Sequence, residues 1–492
     1  MRTETDIYQI KLFIDGKKIV MRDSLAIFPS TLRQFAESFT PEMPKGDIDF
    51  EAGELFDGNN PDHRAYAIRD AAILRHGMPR FNAMMQRHFG VTLAHTTAGT
   101  AMKAWMASLD EGEYYDASAY GDEELFIRSA YFGGLVFLTR TDEIQGAETF
   151  DINSSYPYQM ATHGVPWGQR MSTLDWRCDN MGIFRVTVCA PDDLIVPILP
   201  RRDERGYMRW SRGRFETTVT NSELKFAKQN GYIIETVHEG MAWEEIAFPF
   251  NAFIEKCKAI RQQYKGRPEE TLAKLMQNSL SGKYGSRRER LTVFRADEEN
   301  EELTLEALPL DENGFWWVRK EFADDLRCQP MWAVFITAHA RLHLLDTVYR
   351  VGVKNVIYGD TDSITALPGH GHHFDQGLDY GQFKLEKTWR TFRAIAPKVY
   401  AGQLADGRYK GAAKGLPRKK MKDPEWRALL AGERVSVDYL TLPSLRVAMA
   451  KGVKPAKPIS RISTDILNAS NWELRGDRVR PRLAPTPKGK TP

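Results

Sequence analysis

Apolar and polar residues alternate through residues 7–20, with Asp15-Gly16 in the middle, and this predicts a β-hairpin turned by that dipeptide. From Ser30, whose hydroxyl suits a helix cap, the apolar positions take on helical spacing as far as Phe39. The same spacing covers residues 63–76. Gly77-Met78-Pro79 is then expected to break the helix before a second one runs to His88. Residues 249–264 and 268–281 read as two helices joined by Gly266-Arg267-Pro268. Between 167 and 243 only short strands and turns are legible. Residues 286–328 read as a strand-rich insertion holding Trp316-Trp317. A long apolar-faced helix over 331–348 leads into Val356-Ile357-Tyr358-Gly359-Asp360-Thr361-Asp362-Ser363-Ile364. There, two apolar strands meet at a tight turn that carries two aspartates.

Composition narrows the class. The chain has 492 residues, 42% hydrophobic and 27% charged, which is enough for several subdomains with a substantial core. No apolar run is long enough to span a bilayer, and the first residues show no signal-peptide pattern, so no membrane partner is expected. Four scattered cysteines contain no Cys-x-x-Cys pair, which leaves a reducing cytoplasm as the default location. The net charge is only +3, but it is unevenly spread. Residues 42–62 and 110–124 are acidic, while 408–422 and 475–490 are basic. The end of the chain, from Arg478, is rich in Pro, Lys and Arg and is expected to be disordered.

The chemistry follows from the carboxylates. Asp360 and Asp362, at alternate positions in a tight turn, repel unless a cation lies between them. The hard cations that suit carboxylates and phosphates together are Mg²⁺ and Mn²⁺. Asp151 ends another predicted strand, in Thr149-Phe150-Asp151-Ile152-Asn153-Ser154-Ser155-Tyr156-Pro157. Three carboxylates on adjacent strand ends could hold two metal ions. On the second helix of the 249–281 pair, Lys274, Asn278 and Ser281 share a face, and Arg261 lies near the end of the first; together they fit a triphosphate clamp. Each feature has a bland alternative: an Asx turn, a solvated basic face, a solvated loop for the three histidines of Gly369-His370-Gly371-His372-His373.

Taken together, these segments resemble a family B DNA polymerase of the protein-primed phage and linear-plasmid type. Asp151 to Pro157 is similar to motif A, D-x-x-S-L-Y-P. Lys274-Leu275-Met276-Gln277-Asn278-Ser279-Leu280-Ser281-Gly282 is similar to motif B, K-x-x-x-N-S-x-Y-G. Tyr358 to Ser363 is similar to motif C, Y-x-D-T-D-S. Tyr131-Phe132-Gly133-Gly134 matches the Y-x-G-G linker, and Lys398-Val399-Tyr400 the K-x-Y motif. The resemblance implies an α+β multidomain chain with a right-hand polymerase fold, preceded by a partial RNase H-like 3′-5′ exonuclease domain. The implied divisions are 1–125 for the partial exonuclease and 126–248 for palm, with an insertion over 167–243 that meets a terminal protein. Fingers follow at 249–285, a hairpin insertion at 286–328, palm again at 329–396, thumb at 397–474 and a basic tail at 475–492.

Roles follow from the same resemblance. Asp151 and Asp362 would bind two divalent metals, with Asp360 beside them. Tyr156 would lie under the incoming sugar and exclude a 2′-hydroxyl. Arg261, Lys274, Asn278 and Ser281 would face the deoxynucleoside triphosphate. Tyr131, Gly133, Gly134, Ser279, Gly282, Lys398 and Tyr400 would contact primer-template DNA. Two departures matter. Ser281 stands where the family usually has Tyr, which predicts weaker nucleotide binding or lower fidelity. The family's exonuclease opens with an Asp-x-Glu strand that is not found before Ile7, although Tyr66-x-x-x-Asp70 matches a later exonuclease motif and Lys45-Gly46-Asp47-Ile48-Asp49-Phe50 the loop before it. This predicts no proofreading by this chain alone, unless a separate polypeptide supplies the missing half. The alternative is a catalytically weak, polymerase-like protein that binds DNA or a replication partner.

Overall fold

The computed structural model describes residues 9–14, 17–46, 57–110, 121–286, 289–295, 315–321, 329–433, 435–441, 457–462, 472–475 and 478–481. It forms two compact units: Met1–Tyr115, Phe250–Cys328 and Leu440–Pro458 in the first, Asp116–Pro249, Gln329–Tyr439 and Ile459–Pro492 in the second.

The first unit opens with β1 (Gln9–Ile14) and β2 (Lys17–Arg22), paired antiparallel so that Ile14 faces Lys17. The expected turn at Asp15-Gly16 lies outside the described residues. After a single turn, α1 (Ser24–Ile27), comes α2 (Leu32–Phe39). Its cap is Thr31 and not Ser30. The Thr31 hydroxyl accepts from the Gln34 amide, and the Gln34 side chain accepts in return from the Thr31 amide, each at 3.2 Å. The Ser30 hydroxyl instead donates to the Thr31 carbonyl.

The expected break at residues 77–79 does not occur: α3 (Pro61–Phe89) runs straight through Gly77 and Pro79. Gly77 is a packing position. A Cβ there would strike the ring of Phe35. Phe35 belongs to an aromatic cluster with Phe28, Phe39 and Phe81, whose ring centroids lie 4.9–5.6 Å apart. Burying these rings outweighs the roughly 3 kcal/mol that an interior proline costs a helix. Helix α4 (Thr97–Met106) completes this part of the unit.

The second unit begins with α5 (Gly121–Ser129), β3 (Val136–Leu138), β4 (Ile144–Ile152) and α6 (Ser155–Thr162). It continues through β5 (Val165–Ser172), β6 (Gly182–Ala190), β7 (Pro200–Arg202), β8 (Met208–Trp210), β9 (Gly213–Thr220), α7 (Asn221–Gln229) and β10 (Ile233–Ala247). Where the sequence shows only short strands and turns, the structure has a four-stranded sheet in the order β5-β10-β6-β9. Strand β10 is 15 residues long, but its register shifts near Ile234, Val237 and Trp243. Each bulge resets the inward-outward phase, so a continuous strand reads as fragments.

Back in the first unit, α8 (Asn251–Gln263) and α9 (Pro268–Tyr284) form the helical hairpin. Strands β11 (Glu289–Arg295) and β12 (Phe315–Glu321) then pair antiparallel. Helix α9 runs three residues further than expected because Tyr284 is fully buried, its ring 5.7 Å from Trp105 and 5.4 Å from Phe250.

The second unit resumes with α10 (Pro330–Val351), β13 (Val356–Asp360), β14 (Ser363–Ala366), β15 (Phe383–Ala396), β16 (Val399–Leu404), β17 (Tyr409–Ala413) and α11 (Asp423–Ala431). Helix α10 is buried nearly all round and not on one face. Its Trp332 indole donates to the Pro166 carbonyl at 3.2 Å, Phe335 packs on Trp243, and the Tyr349 hydroxyl donates to Val196. Its partners include β5, β10 and the segment leading to β7, which is why apolar residues occupy nearly all its faces. The main sheet is antiparallel, in the order β17-β16-β15-β4-β14-β13-β3. Residues after 397 therefore begin by extending this sheet. Ala396, Val399, Ala401, Met421, Trp426 and Leu429 form a small core beside it.

Two ladders end the chain: β18 (Ser436–Thr441) with β19 (Lys457–Ile462), and β20 (Trp472–Arg475) with β21 (Arg478–Pro481). The tail expected to be disordered from 475 thus includes a paired strand, with Val479 opposite Leu474. Residues 482–492 lie outside the described residues. Among the described residues, no helix is long and apolar enough to cross a membrane.

Candidate active site

Three neighbouring strands of the main sheet carry the predicted aspartates. Asp151 lies next to the end of β4, Asp360 ends β13, and Asp362 sits in the turn between β13 and β14. Strand β14 connects them: Ser363 is paired with Asp360 on one side and with Asp151 on the other. The Ile152 amide donates to the Asp362 carbonyl at 2.7 Å, which ties the two segments at the carboxylates themselves.

The turn is strained. Among the described residues, the positive-φ residues other than glycine are Ser154 (+50°), Thr361 (+61°) and Lys398 (+63°), and all three flank the aspartates. Such backbone costs of order 1–3 kcal/mol per residue and persists where the surroundings over-determine it. At Thr361 the reason is visible. Its amide donates to Leu135 at 2.8 Å, and its side chain fills the space left by Gly134, where a Cβ would lie 2.7 Å away. Gly134 is thus required by packing, whereas a Cβ on Gly133 would meet nothing within 4 Å.

The three carboxylates are unequally compensated. Asp360 accepts from Lys398 Nζ at 2.8 and 3.0 Å, from the Thr361 hydroxyl at 3.0 Å and from the Tyr358 hydroxyl at 3.3 Å. Tyr358 is itself fixed by the Lys398 amide, which donates to its oxygen at 3.0 Å. Burial and then Asp360 push the Tyr358 phenol well above the usual tyrosine range, so it remains a donor. Asp151 pairs with Lys384 Nζ at 3.1 Å. Among the described residues, Asp362 has no lysine or arginine paired to it. Burial first, then the charges of Asp151 and Asp360, push its carboxyl up to about 6. With only oxygen donors and an excess of negative charge, the cluster suits a hard divalent cation. No three His, Cys, Asp or Glu among the described residues converge as a ready metal cage, the two lysines being drawn onto two of these aspartates.

Tyr156, in the first turn of α6, faces the same space. Burial pushes its phenol up; Arg341 acts against this, and Asp362, Tyr131 and Asp360 add to it. Tyr131 is likewise pushed up by burial. Tyr400 packs its ring 5.1 Å from Tyr358 and 5.5 Å from Phe392, so it buttresses the site from below. Lys398 is the member of that motif whose charge reaches a carboxylate.

Sequence reasoning missed Arg341, Glu223 and Lys384. Arg341 and Glu223 form an ion pair at 2.7 Å with both side chains only 1% exposed. The guanidinium also donates to the Phe132 and Gly133 carbonyls at 2.8 and 3.0 Å. Glu223 in turn closes the capping box of α7 with Thr220. The pair therefore locks the Tyr131–Gly134 segment to α10 and α7. A lone arginine inside an apolar helix was the available signal for Arg341. Lys384 gave none, because its importance depends on register.

The remaining candidates lie in the first unit. On α9, Lys274, Asn278 and Gly282 are exposed, and Ser279 and Ser281 half-buried, on the side away from Leu272, Met276 and Leu280. Arg261 is in the last turn of α8. Tyr284, buried against Trp105 and Phe250, does not reach the position of Ser281. Asp70 on α3 accepts from Lys45 Nζ at 2.8 and 3.0 Å, and Lys45 also donates to the Tyr66 hydroxyl. Asp47 and Asp49 lie outside the described residues.

Comparison with solved structures identifies the architecture as that of a polymerase. The structure matches phi29 DNA polymerase, solved with primer-template DNA and incoming nucleotide, at a TM-score of 0.72 and 20% identity over 93% of this chain and 83% of that one. The family model for DNA polymerase type B, organellar and viral, matches residues 60–315, just over half of the chain, which therefore belongs to that family. Its relatives include the DNA polymerases of Bacillus phage phi29 (26% identical over 89% of this chain) and Bacillus phage PZA (27% over 77%). A probable DNA polymerase of Neurospora intermedia is 25% identical over 60% of the chain. The chain spans 77%, 67% and 34% of these three proteins. It is a DNA polymerase of the phage type.

Proposed function

We propose that the chain extends a 3′-hydroxyl on primer-template DNA with deoxynucleotides by two-metal phosphoryl transfer, in the replication of a small genome started from a terminal protein. The observation that carries this is the meeting of Asp151, Asp360 and Asp362 on adjacent strand ends, with Asp362 uncompensated. Asp151 and Asp362 would hold the cations, and Asp360, already bonded to Lys398, Thr361 and Tyr358, would orient the cluster. The chemistry supplied by bound Mg²⁺ or Mn²⁺ is acidification of the primer hydroxyl and neutralisation of the leaving pyrophosphate. The chain's own residues position the reactants. Tyr156 closes the space beside Asp362 against a 2′-hydroxyl. Lys398 and Tyr400 hold the primer end, Tyr131, Gly133 and Gly134 the template. Arg261, Lys274, Asn278 and Ser281 take the triphosphate side, with Ser279 and Gly282 against DNA.

The surface we assign to the terminal protein is the sheet β5-β10-β6-β9, where Met171, Ile233 and Ile246 are exposed. Residues 1–125 are read as an exonuclease-like region that does not proofread by itself, since Asp70 without further carboxylates beside it cannot hold two metals.

The test is primer extension with purified protein, Mg²⁺ or Mn²⁺ and all four deoxynucleotides, beside Asp360→Ala and Asp362→Ala. Template-dependent extension should fall by about a thousandfold or more in each variant, since electrostatic positioning is the main source of catalysis. Equal rates in variants and wild type would exclude this site. No extension with either metal would favour the DNA-binding alternative. In the same assay Ser281→Tyr should tighten nucleotide binding about two- to fivefold by filling space beside the base pair. Unchanged affinity and misinsertion would remove Ser281 from the site.

A further inference from the structure

Lys384 stands directly opposite Asp151 in the β15–β4 ladder, and its Nζ lies 3.1 Å from Asp151 Oδ2. Its neighbours do not compete for it: Glu386 is paired with Lys387 at 2.7 Å. The pair is open to solvent, with the lysine side chain 45% and the aspartate 26% exposed. Lys398 makes the matching contact with Asp360, but its backbone is locked by a positive φ and by the bond from its amide to Tyr358. Lys384 lies just before a register shift in the β15–β4 ladder, between Leu385 and Lys387, and its exposed side chain can swing away. Three carboxylates thus face two solvent-exposed ammonium groups, and that of Lys384 covers an Asp151 oxygen that a cation would need.

We propose that Lys384 is a positioning residue that holds Asp151 in the metal-free enzyme and competes with divalent cations for its carboxylate, so that it sets the metal affinity of the resting site. The inference rests on the metal-binding reading of Asp151 and Asp362. An ammonium and a divalent cation cannot both take Asp151 Oδ2 without close repulsion, so any metal that uses this oxygen must first displace Lys384. Because the pair is half-exposed, the barrier is modest and reversible. A merely structural ion pair would instead alter thermal stability and leave metal affinity alone.

The experiment is titration of the full chain, free of DNA, with Mn²⁺, following free Mn²⁺ by electron paramagnetic resonance. It compares wild type, Lys384→Met, Lys384→Arg and Asp362→Ala. Lys384→Met should bind Mn²⁺ about three- to fivefold more tightly, the range an exposed ion pair can supply. Lys384→Arg, which keeps the charge, should stay near wild type, and Asp362→Ala should lose most binding. The Mg²⁺ concentration that half-activates extension should fall by the same factor in Lys384→Met. Unchanged or weaker binding in Lys384→Met, with Asp362→Ala still defective, overturns the inference alone. Wild type that binds no Mn²⁺, or Asp362→Ala that binds as well as wild type, overturns the metal reading along with it.

Discussion

Lysine meets aspartate at Asp70 and in the cluster around Asp362, and the outcomes differ. At Asp70 there is one carboxylate and one ammonium, with Lys45 Nζ bonded to both carboxylate oxygens and to the Tyr66 hydroxyl, and lying 4.1 Å from the Tyr66 ring centroid. Burial pushes the Lys45 ammonium down, but the bonds to Asp70 and Tyr66 more than offset this and hold it above its ordinary value. The unit is neutral, and its donors and acceptors are used. In the main sheet, three carboxylates share two lysines, and the remainder falls on Asp362, whose carboxyl is pushed up to about 6. An aspartate in a nuclease-like motif and one in a polymerase-like motif look alike in a sequence. Their chemistry is decided by how many cations the fold brings to each.

A third pair sharpens the contrast because it is fully buried. Arg341 and Glu223 are balanced, as Lys45 and Asp70 are, but they have no water to fall back on. Replacing Arg341 with Leu leaves a buried carboxylate and frees the Phe132 and Gly133 carbonyls. This should cost about 3–5 kcal/mol in denaturant unfolding. A cost under about 1 kcal/mol would mean that the pair is not a lock.

The next effect concerns the unbalanced cluster. Asp362 in the metal-free protein is raised from an ordinary 3.8 to about 6, so the folded state binds its proton more tightly than the unfolded chain. Stability should therefore be greatest at low pH on this account, fall as pH rises from about 4 to about 6, and stay reduced above that. Thermal melts in EDTA across this range should show the slope, and Asp362→Asn should flatten it. Adding Mn²⁺ should restore stability near pH 7 and do little near pH 4.5, where the carboxyl keeps its proton. A slope unchanged in Asp362→Asn would assign it to other groups.

The sequence made the aspartates legible for a physical reason. Asp151, Asp360 and Asp362 each follow short apolar strands, so their positions at strand ends could be read locally. The helical hairpin was legible through its Gly266 and Pro268 punctuation. What escaped depended on pairing at a distance. Lys384 matters because it is opposite Asp151 across a ladder, and Arg341 because it meets Glu223 and the Phe132 and Gly133 carbonyls. Long strand β10 was hidden by its bulges, and Gly77-Met78-Pro79 misled because a tertiary contact with Phe35 overrode a local signal.

The smallest expected effect tests the closed site directly. Lys45→Met keeps most of the stem that packs near Tyr66 and removes only the ammonium. Asp70 and Tyr66 then lose their shared donor, but both lie within reach of water, so the cost should be about 1 kcal/mol. The variant should extend primers at the wild-type rate, because nothing in the main sheet depends on Lys45. It should also gain no metal-dependent degradation of a 3′-end, since the single carboxylate it uncovers is too few to hold two metals. If degradation did appear, Lys45 would be a blocker of a competent nuclease site and not the partner of a structural aspartate. The two lysine–aspartate sites would then differ only in which of them is held shut.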